Sequence, residues 1–270
     1  MLCTPSAMRQ PQAPEWASWL AALLATAAIS LAPASTWARD GLTAPAATTA
    51  PHANPAPTAT SPLWPLSHPT GQQRLLESEY RQAYWPLASY FETQLNQAYC
   101  AVATAVMTLN ALGVPRPDTA LYPDFPFFTQ QEFFNRIPAS VATPSRVAKE
   151  GMTLAQLQAA LQHYPVAVEK ISADTLPLDG LRALLQQQLR QPDRFVLANF
   201  NRRFIGQPGG GHWSPLAAYH AGSDSVLLLD VARYRYPPVW VSLADLLRGA
   251  QNADSVSGTA RGFLLVSKAP

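Results

Sequence analysis

The segment Cys100–Leu112 (CAVATAVMTLNAL) is apolar nearly all round, and Gly113 and Pro115 follow it. A glycine just past the last turn, with proline beyond it, stops a helix, so the pattern predicts a helix over this stretch. A helix without a polar face has to be covered on every side. The chain must therefore wrap its other elements around this one, and whatever opens the helix lies against the core. What opens it is a cysteine.

Composition divides the rest of the chain. Residues 1–38 read as an export signal: Arg9 is the one basic residue ahead of the apolar stretch Trp16–Ala34, and Ala32-Pro33-Ala34 and Thr36-Trp37-Ala38 are small-residue cleavage patterns. Trp19–Ala34 is short and alanine-rich for a membrane span. No stable membrane insertion is expected after cleavage, with an uncleaved anchor as the alternative, and the expected location is periplasmic or secreted. Residues 39–70 are rich in alanine, proline and threonine, with prolines at 45, 51, 55, 57, 62, 65 and 69, and read as a disordered tether. Residues 71–270 remain as one domain, long enough for a substantial core. The formal charge is +2, unchanged when Arg9 and Glu15 leave together, and there is no basic block. That excludes a nucleic-acid partner.

The periodicity of the domain changes along its length. Thr153-Leu-Ala-Gln156 is a capping box opening a helix to about His163, and Leu176–Gln191 predicts another. The aromatic stretch 121–138 reads as a packed loop with a short helix. Strands are expected over Arg194–Phe200, Ser214–His220, Ser225–Val231 and Gly262–Ser267, with a short helix at Ser242–Gly249. A helical first half and a largely antiparallel second half predict an α+β fold whose halves meet at a cleft.

Cys3 falls in the signal, which leaves Cys100 as the one cysteine of the mature chain. It has no internal disulfide partner, and a free thiol in an oxidising compartment is exposed to oxidation, so Cys100 is either inert core or a nucleophile. Its neighbours favour the nucleophile. The first turn of a helix favours thiolate, and an adjacent imidazolium would bring the pKa into about 3.5–7.5. Gln94 lies six residues upstream and can donate to an oxyanion together with the Cys100 N–H. His212 opens a strand behind Gly209-Gly210-Gly211, where backbone can pass close to a ligand. Its rival, His220, ends the same strand about 26 Å away if the chain is extended. A turn at 221–224 would pair 220 with 225 and bring Asp230 near 215, close enough to orient His212 given a small register shift. A carboxylate at the end of an apolar run needs such a partner.

Cysteine, then histidine, then aspartate, with a preceding glutamine, is the papain order. The motifs Thr93-Gln94-x5-Cys100, Val106–Gly113, Asn199-Phe-Asn-Arg202 with Gly206-Gln207, Gly211-His212-x-Ser-Pro215, Asp230–Pro238 and Arg261-Gly262-Phe263 resemble the catalytic domain of phytochelatin synthases, a papain-like family, over about Leu63 to Val266. The resemblance implies a papain-like fold, a Cys100–His212–Asp230 triad with Gln94 in the oxyanion hole, and glutathione as substrate. Cys100 would attack the Cys–Gly bond and leave a γ-Glu-Cys acyl-enzyme for water or a second glutathione. It further implies that Arg261 and Arg202 bind substrate carboxylates, with Arg203 as the alternative beside Arg202, and that Gly211 and Trp213 line the substrate. No tightly bound cofactor and no metal ligand set is expected. Heavy-metal ions such as Cd or Zn would enter as glutathione thiolate complexes, and a homodimer is left open. Plant members continue into a cysteine-rich domain, whereas this chain looks like the short bacterial members, which favour hydrolysis. The alternatives are an exported peptidase for another Gly-containing peptide, and a non-catalytic binder of thiols.

Overall fold

The structure is a computed structural model that describes residues 59–117, 124 and 127–269. The signal reading for 1–38 and most of the tether lie outside the described residues. The expected tether boundary at 70 falls too late. Strand β1 (Trp64–Pro65) already belongs to the sheet, and helix α1 (Pro69–Glu77) starts at Pro69 on an N-cap from His68. Ahead of β1, the backbone N–H groups of Thr60 and Ser61 and the Thr60 hydroxyl all donate to the buried carboxylate of Asp245. Tether-like composition and folded structure thus overlap, because edge pairing and a cap need few apolar side chains.

Helix α2 (Tyr84–Ser89) precedes α3 (Cys100–Ala111), whose residues from Cys100 to Asn110 are all buried, as its apolar circumference requires. Each Val, Leu or Met so buried contributes about 1.5–3 kcal/mol. Helices α4 (Pro144–Glu150) and α5 (Leu154–Leu161) follow, the latter on the expected Thr153/Gln156 capping box. The aromatic stretch holds a 3-10 turn at Glu132–Phe134, with Phe128, Phe133 and Phe134 in the core; Tyr122 and Phe125 lie outside the described residues.

The second half is a sheet with β2 (Val166–Ser172), β3 (Arg194–Asn201), β4 (Gly211–His220), β5 (Ser225–Leu228), β6 (Val239–Ser242) and β7 (Gly262–Lys268), plus α6 (Leu178–Leu189) and α7 (Leu243–Gln251). The strand order is β1-β6-β5-β4-β3-β7-β2, and every pairing is antiparallel. This is the α+β architecture expected from the sequence. Strands β3 and β4 are buried along almost their whole length; α3 packs on β4, while α6 and α7 pack on β3. The sequence reading missed β2, an edge strand that is mostly exposed and lacks a clean apolar alternation.

Two local irregularities shape the sheet, one in β4 and one in β7. The β4–β5 register runs His220↔Ser225, Tyr219↔Val226 and Ala218↔Leu227, then shifts to Leu216↔Leu228. A bulge at Ala217 takes up the extra residue. On β7, a Cβ on Gly262 would come within 2.1 Å of the Ile171 carbonyl oxygen, so only glycine lets β2 and β7 close beside Arg261.

Candidate active site

Cys100 is the first residue of α3, and His212 the second of β4, so the α3–β4 packing brings thiol and imidazole to one cleft of about 220 Å³. Both are buried, and the Trp213 and Ala101 backbone N–H groups point at the thiol sulfur. His212 Nε2 lies 3.0 Å from Asp230 Oδ1 and 3.0 Å from Ser214 Oγ. That leaves Nδ1 as the ring nitrogen able to serve the thiol.

The bulge explains how Asp230 reaches the ring. With strict pairing, 230 would oppose 215 and share the sheet face of residues 213 and 215. The one-residue shift sets it against 214 instead, on the face of His212, and the Leu229 N–H accordingly donates to Pro215 O at 3.2 Å. The small register shift required at the sequence level therefore has a definite cause. Asp230 follows the last residue of β5 by two positions and is fully buried.

Arg202 has a partner that the sequence does not show. It lines the lobe next to the cleft, but its guanidinium is engaged within the protein. Its guanidinium forks onto Asp230 through Nη1–Oδ2 at 2.7 Å and Nη2–Oδ1 at 2.8 Å, donates to Gln207 Oε1, and lies 4.5 Å from the centre of the Tyr236 ring. A carboxylate with no exposure needs full compensation, and the nearest planar cation supplies it. Trp213 is held by its own contacts. It lines the cleft, and its buried indole donates to Met152 O at 2.8 Å. Gly211 does line the cleft, closely apposed to the Arg261 guanidinium: a Cβ there would sit 3.1 Å from Nη2. Arg203 is an exposed neighbour bonded to Gly209 O. His220, the rival histidine, caps a 3-10 turn through Ser223 and faces Glu77.

Arg261 is buried on the cleft wall. Its Nη1 donates to Asn252 O and Ala253 O, and Nη2 lies 3.5 Å from Asp254, but Nε has no hydrogen-bond partner among the described residues. Asn199 Oδ1, on the same wall, is likewise buried and unpaired. Two such orphans would each cost about 1–3 kcal/mol unless a ligand meets them. The sequence reading included Asn199 in a motif without giving it a role; its place on β3 beside Trp213 follows only from register.

Gln94 lines an adjoining lobe of about 270 Å³ with Gln97, His212 and Tyr234. Its Nε2 donates to Asn96 O at 2.7 Å and to the hydroxyl of the exposed Tyr234 at 3.2 Å. The second of these donor positions can be given up to another oxygen.

Electrostatics adds an effect that the helix terminus alone does not show. Burial pushes the Cys100 thiol up, against the lowering effect of two backbone N–H groups and Arg202. Burial likewise brings His212 down to about 4, although Asp230 pulls the other way. Burial also opposes ionisation of Asp230, but His212 and Arg202 outweigh it and hold that carboxyl well below the usual range. Desolvation in this cleft therefore works against the thiolate that the helix terminus favours. Iodoacetamide should alkylate Cys100 slowly at about pH 6 and steadily faster toward alkaline pH. A rate already at its plateau near pH 6 would contradict a thiol pushed up by burial.

Glu92, two residues before Gln94, has a carboxyl pushed up to about 7 by burial, with a Gln130 hydrogen bond lowering it in part. The native state thus keeps a proton that the unfolded chain loses near 4.5, and stability falls as pH rises from there through about 7. The Glu92→Gln variant should remove up to about 3 kcal/mol of that decline. Thermal unfolding of both proteins at about pH 5 and pH 8 checks it; parallel losses would refute it.

A cysteine at the head of a buried helix and a histidine on the facing sheet share one cleft, and an aspartate just past the next strand meets the histidine, the arrangement expected of a thiol site. Sequence comparison narrows the class. The phytochelatin synthase family profile matches residues 57–263, and the chain belongs to that family. It is 31% identical over 202 residues to glutathione gamma-glutamylcysteinyltransferase 1 of Lotus japonicus, covering 73% of this chain and 39% of that protein. The corresponding protein of Triticum aestivum is 32% identical over 194 residues, at 72% and 37% coverage. A glutathione gamma-glutamylcysteinyltransferase of Schizosaccharomyces pombe is 27% identical over 198 residues, at 72% and 45%. The chain thus spans about two fifths of the length of the curated relatives it matches. Among solved structures, a prointerpain A fragment of Prevotella intermedia covers 69% of this chain and 70% of its own at 11% identity and TM-score 0.34, a likeness too low to bear on the fold.

Proposed function

We propose that the protein is an exported glutathione-processing thiol enzyme that cleaves the Cys–Gly bond through a γ-Glu-Cys thioester on Cys100. The observation that carries this reading is the single cleft shared by Cys100 and by a His212 whose Nε2 is fixed on Asp230. The names of the relatives supply the substrate class.

In this reading, Nδ1 of His212 takes the thiol proton as Sγ bonds to the carbonyl carbon, so charge forms only as the reaction proceeds. The oxyanion is met by the Cys100 N–H and by the Gln94 amide, which releases Tyr234. Collapse breaks the C–N bond, and the imidazolium gives its proton to the departing glycine. Water or the α-amine of a second glutathione then attacks the thioester, with His212 again as base. Arg261 Nε and Asn199 Oδ1 offer the donor and acceptor that a carboxylate and an ammonium of the γ-glutamyl group need. Cadmium or zinc enters with the substrate, as a glutathione thiolate complex.

The test is incubation with glutathione, with and without Cd²⁺, followed by mass spectrometry. Free γ-Glu-Cys is the expected product of hydrolysis, and (γ-Glu-Cys)₂-Gly that of transfer. Absence of both overturns the glutathione reading.

A further inference from the structure

Gln94 belongs to no strand, yet its backbone is held on both edges. On one edge its N–H donates to Val231 O at 3.0 Å, the residue directly after Asp230. On the other edge a single side chain takes the place of a neighbouring strand. The amide of Gln130 donates through Nε2 to Thr93 O at 2.9 Å and accepts through Oε1 from the Leu95 N–H at 2.9 Å. In extended backbone these two groups point to the same side, and those of the residue between them point to the other. Gln130 is buried, so the bracket is shielded from competing water.

The bracket is itself anchored to the helix that carries the thiol. Asn110, buried near the end of α3, donates through Nδ2 to Phe128 O at 2.9 Å and accepts from the Phe128 N–H at 3.1 Å. Two side-chain amides in series therefore tie the Gln94 segment to α3, at the far end from Cys100.

We propose that Gln130 is a positioning residue for the oxyanion site: by bracketing residues 93 and 95 it holds the Gln94 carboxamide in line with the Cys100 N–H. This rests on the oxyanion role proposed for Gln94, but not on glutathione as the substrate. A donor displaced by an ångström loses much of its effect on a barrier, so the backbone clamp controls a rate without touching the reacting atoms.

The test uses the full chain and p-nitrophenyl acetate, which acylates a reactive thiol through a tetrahedral oxyanion without any γ-glutamyl recognition. Sγ bonds to the acetyl carbon, the C–O bond breaks, p-nitrophenolate leaves, and water later releases acetate. In Gln130→Met the burst of p-nitrophenolate is expected to slow about tenfold, while in a Gln94→Ala background the same change alters the rate by less than about twofold. Gln130→Glu keeps the acceptor for Leu95 and the side-chain volume; it serves in the same cycle if Gln130→Met does not fold. An unchanged burst rate, an equal loss in both backgrounds, or no wild-type burst above Cys100→Ala each overturns the proposal. A failed glutathione assay beside an intact cycle overturns only the substrate.

Discussion

Cys100→Ala is expected to reduce glycine release from glutathione by at least about 10⁵-fold, to the level of the uncatalysed reaction plus binding effects. Alanine removes only the sulfur, and it enters an apolar helix at a buried first turn where it is the best helix former. The variant should therefore fold, with a melting temperature close to wild type. Activity loss with stability retained is the signature of a nucleophile. Loss of both would make Cys100 a packing residue, and loss of neither would remove the thiol from the mechanism. Glycine quantitation beside thermal unfolding separates these cases.

Asp230→Asn should cost both activity and stability. The carboxamide keeps the volume but loses the charge, so the Arg202 guanidinium, bonded to both carboxylate oxygens, is left buried without its counter-ion. Breaking one side of a buried pair costs about 3–5 kcal/mol. His212 also loses the acceptor that fixes Nε2–H, and the wrong tautomer at such a site lowers turnover by about 10⁴-fold. Urea unfolding and kcat are the two measurements. A stable, inactive Asp230→Asn would mean that Arg202 finds another partner; a fully active one would leave Asp230 with a purely structural part.

What the sequence conveyed depended on range. Helix α3 was legible because its apolar circumference and its glycine stop are local, and the cysteine, histidine and aspartate stood out because chemistry restricts which residue types can do the work. Arg202 was read as a ligand for substrate because an arginine in a glycine-flanked motif does not say which carboxylate it meets. That partner is set by the β3–β4 register and by the segment after β5, which no local pattern encodes. The effect of burial on the thiol is hidden from the sequence for a related reason. A helix terminus is visible in sequence, but the desolvation opposing it comes from every element packed over Cys100. Gln130 left no sequence signal, since a lone buried glutamine looks like any polar loop residue until its two backbone partners are located.

The anchoring of Thr60 and Ser61 on Asp245 has a mechanical consequence. A pull on the N-terminal segment is delivered first to the start of α7 and then to β1, the two-residue strand at one margin of the sheet. Such a short pairing peels away one bond at a time, whereas β3 and β4 lie deep in the sheet. Because α7 packs on β3, load arriving through that segment is shared between the margin of the sheet and the strand beside His212.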